Sequence, residues 1–220
     1  MVAVAIVGIG CHYPGGIVDP TSFWDFVIRK GDAVTEIPAE RWDVERYYDP
    51  DPDASGRMYT RHASFVDEPI GRFDPDFFGI SRREAMILDP QQRRLLQVSW
   101  EAMDDAGIAG RVSGKSVGTF IGGFTNDNAV GKASTHKLDK IDNFAAFSSS
   151  QTLLSNRLAH ALDLRGPSMT VDTACSSSLV TTHLAVRALV EGECDVALVG
   201  GSNVIFQPET FITMCKGRFL

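Results

Sequence analysis

The chain has 220 residues, 44% hydrophobic and 22% charged, with 28 acidic against 21 basic side chains for a formal charge of −7. Plentiful Val, Leu, Ile and Phe supply a packed core, which excludes a disordered or fibrous chain. A net acidic balance with no block of Lys or Arg argues against a nucleic-acid binder held by phosphate contacts, because those need a basic surface.

Val2–Gly8 (VAVAIVG) is a short apolar, β-branched run ending in glycine, which predicts a strand buried on both faces of a parallel sheet. The apolar opening stops at Cys11 and no basic residue precedes it. It is neither a secretory signal nor a membrane span, and a cytoplasmic protein is expected. Asp19 and Pro20 form an N-cap with proline at the first helical position. Phe23, Trp24, Phe26 and Val27 then supply an apolar helix face that Gly31 closes. Residues 32–78, rich in Pro, Asp, Arg and Tyr, read as a long irregular excursion over the surface.

Ser81 and Glu84 have capping-box spacing, and Asp89-Pro90 opens a second helix through Leu95, Leu96, Val98, Trp100 and Met103 that Gly107 ends. Ser116–Gly123 reads as a strand, and residues 151–163 as an amphipathic helix with Leu153, Leu154, Leu158 and Leu162 on one side. Ser168–Asp172 is another strand, Ser176–Glu191 a helix and Asp195–Gly200 a strand. Strands alternating with helices predict an α/β fold with a mainly parallel sheet flanked by helices.

Two nucleotide-like patterns fail on context. Gly8-x-Gly10 is followed by Tyr13 where a dinucleotide fingerprint needs a third glycine. Ala109-x4-Gly114-Lys115-Ser116 has a helix before it and a strand after it, the reverse of a phosphate loop. Neither a G-x-S-x-G elbow nor an H-E-x-x-H zinc helix occurs. The four cysteines at 11, 175, 194 and 215 lack C-x-x-C or zinc spacing and read as reduced thiols.

The informative stretch is Thr170–Leu179 (TVDTACSSSL), where a short strand meets a helix through small residues with Cys175 at the junction. A helix N-terminus carries unsatisfied N–H groups and the positive end of the dipole, which favours thiolate over thiol and activates the sulfur. Ser176–Ser178 leave room for a substrate carbonyl, whose oxyanion the Cys175 N–H can stabilise. The competing reading is a buried structural cysteine.

Val171–Leu179 resembles the active-site segment of β-ketoacyl synthases, specifically the ketosynthase domain of type I polyketide synthases and their fatty-acid-synthase relatives. The resemblance extends along nearly the whole chain, through Ile6–Gly16 (IVGIGCHYPGG), Phe73–Ser81 (FDPDFFGIS), Leu88–Arg93 (LDPQQR), Ser155–Leu158 (SNRL), Leu164–Pro167 (LRGP) and Glu193–Gly201 (ECDVALVGG). It implies that Cys175 takes an acyl chain from an acyl-carrier-protein thioester. A malonyl-type extender thioester then loses carbon dioxide and attacks the acyl-enzyme to give a β-ketoacyl product. The resemblance implies no metal and no cofactor.

The same resemblance implies a thiolase-like fold of two related α/β halves, of which residues 1–220 are the N-terminal domain of an incomplete ketosynthase. The two family histidines that assist decarboxylation belong to segments C-terminal to Arg218–Leu220. His12, His62, His136, His160 and His183 lack partner motifs and read as surface or packing residues, and Cys11, Cys194 and Cys215 as structural. The expected partners are acyl carrier protein, acyl and malonyl thioesters, the missing C-terminal half and a second copy in the complete enzyme. The helix beginning at Cys175 is then expected to expose an apolar face. The alternative is a catalytically incompetent remnant or split subunit that acts only in protein association.

Overall fold

Every residue of Val117–Gly122 is buried, as a strand covered on both faces requires, and this segment organises the larger part of the chain. The computed structural model describes residues 3–129 and 150–220. Its elements are α1 (Pro20–Ile28), β1 (Val34–Glu36), α2 (Val44–Tyr47), β2 (His62–Ser64), α3 (Arg82–Ile87), α4 (Pro90–Asp105), β3 (Val117–Gly122), α5 (Leu153–Ala161), β4 (Ser168–Val171), α6 (Ser177–Glu191), β5 (Val196–Gly201) and α7 (Glu209–Lys216). The chain divides into two compact units, Met1–Cys11 with Ile70–Asn203, and His12–Pro69 with Val204–Leu220.

The first unit holds a three-stranded sheet in the order β4-β3-β5 with both pairings parallel. Successive strand residues face opposite sides, so Ile121 and Phe120 identify what covers each face. Ile121 packs with Leu95 and Leu96 of α4 and Leu154 and Leu158 of α5. Phe120 packs with Ala185 and Ala188 of α6 and with Cys194. Two helices on one face and one on the other make the α/β arrangement that the alternating pattern predicts.

Helix starts follow the sequence signals. The Asp89 carboxylate accepts from Gln91 N–H at 2.8 Å with Pro90 in the first turn of α4. The Ser81 hydroxyl accepts from Glu84 N–H. Past the end of α4, Gly107 takes φ +68, the left-handed conformation that glycine supplies without a Cβ penalty.

The opening run differs from expectation. Residues 3–8 form no strand, and Ile6 and Val7 are 85% and 64% exposed. No described strand bonds to this run, so among the described residues its β-branched side chains have no ladder to join. Its glycines serve close packing instead. A Cβ on Gly8 would lie 2.2 Å from the Ala102 carbonyl oxygen, and one on Gly10 2.2 Å from that of Val98. Ile9 N–H donates to the Asp105 carboxylate at 2.9 Å, so the run lies along α4.

Residues 32–78 are largely irregular, as expected, but those of the second unit hold three short elements and part of a core rather than only an excursion over the surface. β1 and β2 pair antiparallel, Val34 opposite Ser64, and Met58 is fully buried with Ile37, Trp42, Phe211 and Cys215. Strands of three residues and a helix of four are too short to display a hydrophobic period. In the same unit α1 forms where predicted, with a capping box between Asp19 and Ser22. Hydrogen bonds from Ser22 hold the Asp19 carboxyl below its ordinary range. The apolar face of α1 is not buried, however: no α1 residue is buried, and Trp24 is 62% exposed.

Candidate functional site

Cys175 is the middle residue of a single 3-10 turn, Ala174–Ser176, that joins β4 to α6. The helix therefore begins two residues after the cysteine, at Ser177, rather than at Ser176. Of the four cysteines Cys175 is exposed, while Cys11, Cys194 and Cys215 are buried. Burial pushes the Cys194 thiol above its ordinary range, which disfavours its reactive anion.

Hydroxyls of the surrounding Ser and Thr residues fasten the turn. The Asp172 carboxylate accepts from Ala174 N–H at 2.9 Å, and the Ser176 hydroxyl donates to Thr173 at 2.8 Å to its carbonyl. The Ser177 hydroxyl accepts from Thr173 N–H at 2.9 Å and donates to the Ala174 carbonyl at 2.7 Å. Ala174 itself takes φ +55, a conformation in which an L side chain crowds its own backbone.

The turn lies at the carboxyl ends of the parallel strands, the usual place for a site on such a sheet. Glycines there let α6 approach. A Cβ on Gly122 would stand 2.9 Å from Ser177 Cβ and from Ser178 N, and one on Gly201 3.4 Å from Ser178 Cβ. Cys175 is exposed at this point, two residues before the first residue of α6 and flanked by Ala174 and Ser176. The peptide N–H groups at the start of a helix can carry negative charge developing on the carbonyl oxygen.

Polar residues of the quoted motifs, to which sequence reasoning gave no role, hold the segments beside this turn. Gln91 is buried and its amide donates to the Thr125 carbonyl at 3.1 Å, while the Thr125 hydroxyl donates to Asn203 Oδ1 at 2.6 Å. Ser155 and Asn156 bond α5 to β4, through Thr170 Oγ1 at 2.9 Å and Ser168 Oγ at 2.7 Å. Arg157 reaches Glu84 at 2.5 Å. The signal was available, since these polar residues interrupt the apolar runs of α4 and α5.

None of the described histidines joins Cys175. His12 stands 3.9 Å from Glu68 in the second unit, His62 is in β2, His160 in α5, and His183 is exposed on α6. His136 lies outside the described residues. No described helix is long and apolar enough to cross a membrane.

The model of the β-ketoacyl synthase N-terminal domain matches residues 1–220. The chain is 48% identical over 219 residues to pikromycin polyketide synthase component PikAII of Streptomyces venezuelae, covering 99% of this chain and 6% of that relative. It is 44% identical over 219 residues to mycoketide-CoA synthase of Mycobacterium tuberculosis, covering 99% of this chain and 5% of the relative. Among solved structures it is similar to an oxazolomycin ketosynthase domain from Streptomyces albus, with TM-score 0.84, 37% identity, and coverage of 96% of this chain and 37% of that one. A ketosynthase of the bacillaene synthase from Bacillus subtilis is similar at TM-score 0.83 and 36% identity, with 97% and 34% coverage. The fold is thiolase-like, and the chain spans about a third of the solved ketosynthases it matches.

Proposed function

The chain belongs to the β-ketoacyl synthase family, as its N-terminal domain, and from that premise we propose that Cys175 is the nucleophile that accepts an acyl group from an acyl-carrier-protein thioester. The observation that carries this reading is the exposed cysteine on a fastened turn at the carboxyl end of the parallel sheet, directly before a long helix. The sulfur attacks the thioester carbonyl, the new carbon–sulfur bond forms, and the carrier thiolate leaves with the electron pair of the bond that breaks. A malonyl-type extender then loses carbon dioxide. Its carbanion equivalent attacks the acyl-Cys175 carbonyl, forming the new carbon–carbon bond and releasing the cysteine thiolate.

Acyl transfer and condensation make different demands on the protein. The first needs Cys175 and donors for the oxyanion, both available around the turn. Decarboxylation calls on the two family histidines, whose segments are not among these 220 residues. The partners of this reading are therefore the carrier protein, acyl and malonyl thioesters, the remaining portion of a ketosynthase and a second copy, in the cytoplasm. The outward face of α6 fits such a further portion, since Leu179 is 74% exposed and Val186 and Val190 follow at helical spacing, also exposed.

Thiol labelling with and without a small acyl thioester tests the reading. Labelling of Cys175 is expected to be blocked by prior incubation with the thioester and restored by hydroxylamine. A Cys175 that labels equally in both samples would support the association-only remnant instead.

A further inference from the structure

Resting on the assignment of Cys175 as the acyl-accepting nucleophile, we propose that Ser177 is a positioning residue for that sulfur, and that it acts by holding Ala174 in its left-handed backbone conformation. Ala174 has φ +55. A non-glycine residue stays in that region only when its surroundings enforce it, and the surroundings here are specific. The Ser177 hydroxyl receives the Thr173 N–H at 2.9 Å and gives its own hydrogen to the Ala174 carbonyl at 2.7 Å, so one side chain closes both ends of the Thr173–Ala174 segment. The Gly123 carbonyl, at 3.3 Å, is the longer of the two acceptors open to a hydroxyl with one hydrogen to give.

Burial makes this tie different from the others around the turn. Ser177 is 6% exposed, so water competes less for its partly buried hydrogen bonds. Asp172, which receives Ala174 N–H, is exposed and meets that competition. Ser177 is also fixed to the sheet, because its Cβ occupies the space that a side chain on Gly122 would need. Sheet position thus passes through Ser177 to Ala174, and from Ala174 to the adjoining Cys175.

The test compares the full chain with Ser177→Ala, Ala174→Gly and the double variant, measuring iodoacetamide alkylation of each cysteine by peptide mass across a range of pH. Ser177→Ala is expected to slow alkylation of Cys175 about tenfold, the order set by loss of one buried hydrogen-bonded hydroxyl. The buried Cys11, Cys194 and Cys215 should stay protected. Adding Ala174→Gly should restore most of the rate, because glycine adopts positive φ without help. A merely structural serine predicts no such rescue. A Ser177→Ala rate within about twofold of the parent, the change expected if that bond contributes nothing, or a double variant no faster than Ser177→Ala, overturns the proposal.

Should Ser177→Ala fail to fold, seen as labelling of Cys194, the double variant decides. Glycine at 174 is expected to restore protection of Cys194 and alkylation of Cys175, and a double variant that also fails to fold overturns the proposal. Iodoacetamide reads the turn whereas an acyl thioester reads the chemistry. A parent chain that alkylates as expected but accepts no acyl group marks failure of the functional reading alone.

Discussion

Arg157 and Glu84 stand 2.5 Å apart with side chains only 10% and 20% exposed, and Arg157 Nε has no hydrogen-bond partner among the described residues. Truncating one member of such a pair leaves the other charge buried and uncompensated. Glu84→Ala is therefore expected to lower unfolding free energy by about 3 kcal/mol in denaturant titration, and Glu84→Gln by less, because the amide oxygen still accepts. Glu191→Ala, which removes an exposed pairing with Arg187 on α6, should leave the midpoint unchanged, since solvent screens that pair. Equal midpoints for Glu84→Ala and Glu191→Ala would contradict this assignment. At this scale small residues at a strand–helix junction marked Cys175 in the sequence as a candidate, against the competing reading of a buried structural cysteine, and the structure leaves Cys175 exposed. The sequence did not display Ala174, because a left-handed residue is ordinarily signalled by glycine or asparagine and alanine carries no such mark.

Helices and strands of the larger unit were legible to within a residue or two, because caps and periodicity act locally: Asp89-Pro90 begins α4 and Gly107 follows its end. The opening run was not legible in the same way. Its β-branched composition specifies a strand only if another strand pairs with it, and none of the described strands does. Nor could composition reveal that Gly8 and Gly10 lie against the carbonyls of α4. That contact separates two glycine substitutions. Gly10→Ala places a methyl group 2.2 Å from the Val98 carbonyl oxygen and is expected to cost about 3 kcal/mol, the upper end for overpacking, through the backbone shift it forces. Gly107→Ala meets open space at φ +68 and should cost about 1 kcal/mol, the conformational penalty alone. Thermal or denaturant midpoints rank the two, and a Gly107→Ala variant less stable than Gly10→Ala would refute the packing argument.

At the scale of the molecule, the second unit was the least legible part, since its core joins residues 37–58 to Phe211 and Cys215 at the far end of the sequence. Long-range closure of that kind leaves no local pattern. Family membership, in contrast, was legible from several long motifs in order, and the solved ketosynthases share the fold at TM-scores of 0.84 and 0.83. The chain covers about a third of those structures, and the exposed Leu179, Val186 and Val190 of α6 show an apolar helix face that nothing among the described residues buries. The central claim concerns what this chain does by itself at Cys175. Its most direct test is peptide mapping by mass spectrometry after incubation with an acyl-loaded carrier protein. The account predicts one acyl group on the peptide containing Cys175 and none in Cys175→Ala. An unmodified Cys175 peptide, or an adduct that persists in Cys175→Ala, would contradict it.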